Sequence, residues 1–201
     1  MTSKVLTLGP NDTAGQQQIV FCDTGGDFGP AAANDLRDAT SANRLAAQLT
    51  LASLPAEGGN GRQSARVDLG SSRVFAYSVQ AALEFAATPV ANETVDFFWA
   101  PLNNTTTTNG PGGVNGVTDA AYSGTAGSTV YESTPQLIWI GSFRVTDDAT
   151  GTVQVSDIGV FEPPTRYGQL VVVSNATPTL HSDDVESHVV MTPIIQQGQD
   201  T

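Results

Sequence analysis

Residues 75–85 constrain the fold more than any other stretch of the chain. Phe75, Tyr77, Val79, Ala81, Leu83 and Phe85 occupy alternate positions, and Ala76, Ser78, Gln80, Ala82 and Glu84 fill those between. Successive side chains of an extended backbone leave opposite sides of a sheet. An unbroken period of two over this length therefore specifies a strand with one buried and one wetter face. The same reading places the core on Phe75, Tyr77, Val79, Leu83, Phe85, Phe97, Trp99, Trp139 and Phe143.

Other segments repeat the theme. Residues 45–54 alternate through Leu45, Ala47, Leu49 and Leu51, and residues 94–102 set Val95, Phe97 and Trp99 opposite Phe98. Strands resume at Thr129. Residues 136–145 carry Leu137, Trp139, Phe143 and Val145 on one face and Ile138 and Ile140 on the other. Apolar side chains on both faces predict a central or interfacial strand, and an oligomer. Residues 152–160, 169–173 and 187–195 complete the set. Gly-, Asn- and Asp-rich turns at 57–61 and 147–151 separate the runs. Eight or nine strands with almost no helix predict an all-β fold, an antiparallel, jelly-roll-like β-sandwich.

A chain of 201 residues fits one such domain. Residues 1–43 read as an extended N-terminal arm, because Gly-Pro and Gly-Gly steps leave room only for a short strand at 17–22. Residues 44–201 form the sandwich. Within it, residues 103–128, with Thr105 to Thr108 and many glycines, read as a long polar surface loop.

Twenty acidic residues against eight basic ones leave a net charge of −12. Such a surface repels phosphate backbones, so nucleic acid is a poor partner. No run of eighteen apolar residues occurs, which argues against a membrane span, and the absence of a leader pattern predicts synthesis in a cytoplasm without export. Cys22 follows Ile19, Val20 and Phe21 and reads as a packed thiol on a strand.

The search for chemistry yields few candidates. Gly110 to Gly113 lacks the lysine and flanking elements of a phosphate loop. The densest polar cluster is His181, Asp183, Asp184, Glu186 and His188. Turn chemistry accounts for it best, with calcium on the three carboxylates or zinc on the histidines as alternatives. Glu84, Glu93, Asp96 and Glu132 are available as paired acids. Trp99, Trp139, Tyr77 and Tyr131 offer rings for sugar stacking, with core packing the competing role. No catalytic residue, cofactor or metal is assigned.

Three stretches carry a family resemblance. They are Gln136-Leu-Ile-Trp-Ile-Gly-Ser-Phe143, then residues 159–175 (GVFEPPTRYGQLVVVSN), then residues 180–193 (LHSDDVESHVVMTP). Over roughly the last third, the chain resembles structural proteins of tailed bacteriophage particles, including jelly-roll capsid decoration (cement) proteins. The resemblance implies a non-enzymatic virion protein that stabilises a capsid. Its partners would be the major capsid protein or other virion proteins, and it would form an oligomer, with a trimer favoured. The alternative is a carbohydrate-binding module for host attachment on a phage tail.

Overall fold

In the computed structural model the described residues are 17–23, 28–30, 35–52, 54–56, 61–71, 74–106, 108–182 and 186–194. They form strands β1 (Gln18–Cys22), β2 (Arg44–Gln48), β3 (Gly61–Gln63), β4 (Val67–Asp68), β5 (Ala76–Glu84), β6 (Thr94–Leu102), β7 (Ala120–Tyr122), β8 (Ile138–Arg144), β9 (Val153–Phe161), β10 (Tyr167–Ser174) and β11 (His188–Ile194), with one short helix, α1 (Val130–Ser133).

Two sheets pack face to face. The five-stranded sheet has the order β2-β1-β11-β5-β9, and the six-stranded sheet β7-β3-β10-β6-β8, with β4 beside β10. All pairs are antiparallel except β1 with β2. Apart from β2, β4 and β7, the principal strands alternate between the sheets except at β6 and β8, which are consecutive and paired in the six-stranded sheet. Numbered one to eight along the chain, they run 1-8-3-6 in one sheet and 2-7-4-5 in the other, the order of a jelly roll.

Alternation along the strands builds the core. Tyr77, Val79, Ala81 and Leu83 of β5 and Val95, Phe97 and Trp99 of β6 point between the sheets and are fully buried, with Phe85 and Phe143 nearly so. Gly168 on β10 supports the largest of them. A Cβ there would lie 2.2 Å from Trp99 Cε2 and Cζ2, so the indole rests on bare backbone.

Two expected core residues lie outside. Phe75 precedes the strand and is 63% exposed, while Trp139 is 54% exposed. Trp139 is displaced by a β-bulge. Phe97 pairs with Gly141 but Phe98 with Trp139, leaving Ile140 as an extra residue that shifts the alternation by one. Ile138, Ile140 and Phe143 therefore face the core, while Trp139 packs edge-on against Phe98 outside, with centroids 5.3 Å apart.

The boundary at residue 43 does not hold for the described part of the arm. β1 lies between β2 and β11, with Ile19, Val20, Phe21 and Cys22 fully buried. Ile19 and Phe21 enter the main core. Val20 and Cys22 lie on the outer face with Val190, beneath Phe28 and Leu36. Residues 1–16 lie outside the described residues.

The polar loop at 103–128 also departs from expectation, since its described part folds back onto the six-stranded sheet. Val114 and Tyr122, joined by Val130 and Leu137, bury the outward side chains Phe98, Ala100, Leu102, Val171 and Val173 in a second core. Tight glycine contacts permit this. At Gly113 φ is +84°, and a Cβ would lie 2.4 Å from the Gly124 carbonyl carbon. Tyr122 donates its hydroxyl to Gly112 O at 2.7 Å, and burial pushes its phenol up to about 12. The strand expected to resume at Thr129 is instead α1, opened by a capping box between Thr129 and Glu132. The two apolar faces around residues 137–140 are thus covered largely within the chain, by the main core and by this cap.

Candidate functional site

The residues singled out for chemistry scatter across the fold. His188, on β11, is buried. Its Nδ1–H donates to Glu186 O at 2.8 Å, and Nε2 accepts from the Leu36 backbone N–H at 3.1 Å. Asp35 Oδ1 lies 3.6 Å from Nε2, and Asp35 also holds the fully buried Arg37 side chain. Burial first, then the nearby Arg37 charge, lower the His188 pKa. The imidazole is therefore a neutral clasp that pins residues 35–38 over β1 and β11.

His181 is half-buried elsewhere, its Nδ1 3.8 Å from Glu84 Oε2. The histidines thus serve separate neighbourhoods and do not converge on one zinc position. Asp183 and Asp184 lie outside the described residues. Among the described residues no three His, Cys, Asp or Glu side chains are grouped to hold a metal.

The four candidate acids also have separate roles. Glu84 is buried beside His181. Glu93 accepts from Thr177 N at 2.8 Å and from the Thr177 hydroxyl, and Glu132 caps α1. Only Asp96 stands on an open sheet face. Cys22 is buried in the small outer cluster. Gly110 to Gly113 form a tight turn in which Gly110 N–H donates to Val114 O at 2.8 Å.

The four aromatic candidates divide into two pairs. Trp99 and Tyr77 are fully buried, whereas Trp139 and Tyr131 (52% exposed) stand on the outside of the six-stranded sheet. That face has two halves, an apolar one beneath the cap and a polar one left open. In the open half, register places Ser142 of β8 opposite Asp96 of β6, and Arg144 opposite Thr94.

A hydrogen-bonded chain crosses the strands there. The Ser142 hydroxyl donates to Asp96 Oδ1, and Asn175 Nδ2 donates to Asp96 Oδ2 at 2.6 Å and to Thr94 Oγ1 at 3.2 Å. The Tyr131 hydroxyl donates to Asn175 Oδ1 at 2.8 Å. The result is a preorganised polar strip flanked by Trp139 on one side and Tyr131 on the other.

Sequence reading missed the grouping of Ser142 and Asn175 with Asp96, because nothing local marks it. They meet Asp96 only through the β8–β6 and β10–β6 registers. No protein-family model, curated protein or solved structure matches this chain.

Proposed function

We propose that this chain is a non-enzymatic structural protein of a bacteriophage particle. As a jelly-roll module it docks on the major capsid protein or another virion protein and stabilises the shell as an oligomer, with a trimer favoured. An apolar corner at one end of the five-stranded sheet carries the reading.

Val160 on edge strand β9 is 64% exposed, and Ile194 on β11 stands opposite Ala76. Phe75, immediately before β5, is 63% exposed at the same end of the sheet. Next to it opens a cleft of ≈ 550 Å³ lined by Ser71, Val74, Phe75, Glu162, Pro163 and Pro164. In a chain with only 14% charged residues, a cluster of exposed aliphatic and aromatic groups at one corner suits burial against another protein. The resemblance to cement proteins supports the same reading, and the net charge of −12 disfavours the packaged nucleic acid as the partner.

Light scattering of the full chain at micromolar concentration tests the oligomer. The expected mass is three times 20.9 kDa, falling when Val160→Asp and Phe75→Asp are combined. Co-sedimentation with phage particles tests attachment. A monomer that stays free of particles in a density gradient would refute the proposal.

A further inference from the structure

We propose that the open half of the six-stranded sheet is a binding site for neutral pyranose oligosaccharides. This goes beyond the assembly reading and uses the opposite side of the sandwich. A pyranose presents a C–H face that packs on an aromatic ring and an equatorial rim of hydroxyls that seek hydrogen bonds. The sheet offers both in the right order. Trp139 rises from β8 opposite Phe98, and Tyr131 reaches Asn175 just past β10, beside Thr94, so the two rings are offset both across and along the strands and an oligosaccharide, not a single ring, would span them.

Between them run Ser142, Asp96, Asn175 and Thr94, already joined by hydrogen bonds. These side chains lose little further freedom on binding, and preorganisation of that kind is what a weakly hydrophobic ligand requires. Arg144, exposed and opposite Thr94, adds guanidinium donors at the end of the strip.

The two rings owe their exposure to separate devices. The bulge at Ile140 turns Trp139 outward, and α1 holds Tyr131 above the strip with its hydroxyl tied to Asn175. Both rings are about half-exposed, the disposition of aromatic side chains at ligand surfaces.

Other occupants fit less well. A peptide adding to the sheet would need the free edge of β8. That edge lies against β9, where a Cβ at Gly141 would fall 2.1 Å from Ile158 O. A nucleic acid strand could stack on the rings, but its phosphates would meet Asp96 at the centre of the strip and a net charge of −12. The same repulsion disfavours sialylated, sulfated and uronic glycans and leaves neutral hexose chains.

The test uses the full chain on a printed array of gluco-, manno- and galacto-oligosaccharides, with sialylated and sulfated glycans on the same array. The strongest neutral glycan is then titrated in solution. Trp99 is fully buried, so ligand-induced change in tryptophan emission reports Trp139. Neutral glycans should bind and shift the emission to the blue. Trp139→Ala and Tyr131→Ala should each weaken binding by on the order of tenfold, with thermal midpoints close to the parent's. Asn175→Ala should weaken binding while leaving the Trp139 stacking signal at saturation.

Four outcomes would overturn the proposal. These are no neutral glycan bound, binding confined to anionic glycans, binding unchanged in both aromatic variants, or a Trp139→Ala variant that dissociates the oligomer. The last would make this face a contact between copies.

Discussion

Gly168→Ala should be among the most costly single-methyl additions in the molecule, and its cost should depend on Trp99. Gly168 does not have a positive φ, so the penalty is steric and not conformational. The added Cβ would sit 2.2 Å from Cε2 and Cζ2 of the Trp99 indole and 2.4 Å from Nε1. Contact distance between such atoms is about 3.5–4.0 Å, so the ring or β10 must move by more than an ångström. Neither has room. Trp99 is fully buried, with Phe161 at 5.5 Å between centroids, and Gly168 lies between β6 and β4, paired with Pro101 and Val67. Overpacking of this kind costs about 1–3 kcal/mol, and a rigid aromatic neighbour argues for the upper end, about 3 kcal/mol. For a chain of this length that lowers the melting midpoint by roughly 6–12 °C.

The assay is a double-mutant cycle with Trp99→Phe, followed by urea unfolding and circular dichroism. Phenylalanine lacks the indole atoms that the new methyl would strike, although it leaves a cavity costing about 2 kcal/mol. The Trp99 Nε1–H has no hydrogen-bond partner, so its loss adds no broken bond. In the Trp99→Phe background Gly168→Ala should cost under about 1 kcal/mol, because the methyl fills part of the cavity. The coupling is then about 2 kcal/mol, far above the roughly 0.5 kcal/mol scatter of independent sites. Additive effects would refute the reasoning and show that β10 yields instead of the ring.

Further outcomes follow from the same geometry. His188 has a folded pKa below its unfolded value, so the unfolded chain takes up a proton first as pH falls. Stability from the neutral clasp is therefore full above about pH 6.5 and declines below it. The urea midpoint should drop between about pH 7.5 and pH 5, with a smaller drop in His188→Gln, and equal drops would refute the role of the clasp. Deleting residues 1–22 removes an interior strand with Ile19, Val20 and Phe21, at about 1.5–3 kcal/mol each. That approaches the total stability of a typical domain, so the truncated chain should show no cooperative melt. Phe85→Ala should cost about 3–5 kcal/mol and Phe75→Ala, measured on the dissociated monomer, within about 0.5 kcal/mol. Parity between them in chemical denaturation would contradict the burial of one and exposure of the other.

The class of fold and most of the core are legible in local alternation. Tyr77, Val79, Leu83, Phe97 and Trp99 are inside because alternation along an extended backbone is local, and nothing in β5 or β6 shifts their inner rows. The β5–β9 register slips between Val79 and Gln80, but the inner row of β5 keeps its period. The Thr129–Glu132 capping box is equally local, and it starts a helix where alternation predicts a strand.

Tertiary structure decided the rest. Trp139 shares its alternating row with Phe143, and only the bulge opposite β6 separates them, a feature of pairing and not of local sequence. Gln18–Cys22 reads as a short strand, but its place inside the sheet depends on β2 and β11, which come later in the chain. The polar loop becomes a cap because β6 and β10 present an apolar outer half that needs covering, and a Gly-rich segment is pliable enough to lie on it. The candidate site is the extreme case. Asp96, Tyr131, Ser142 and Asn175 are distant in sequence, and only sheet register and a helix of four residues bring them onto one face. Long-range pairing of this kind leaves no periodic trace in the chain, because each residue's role depends on strands it meets only after folding.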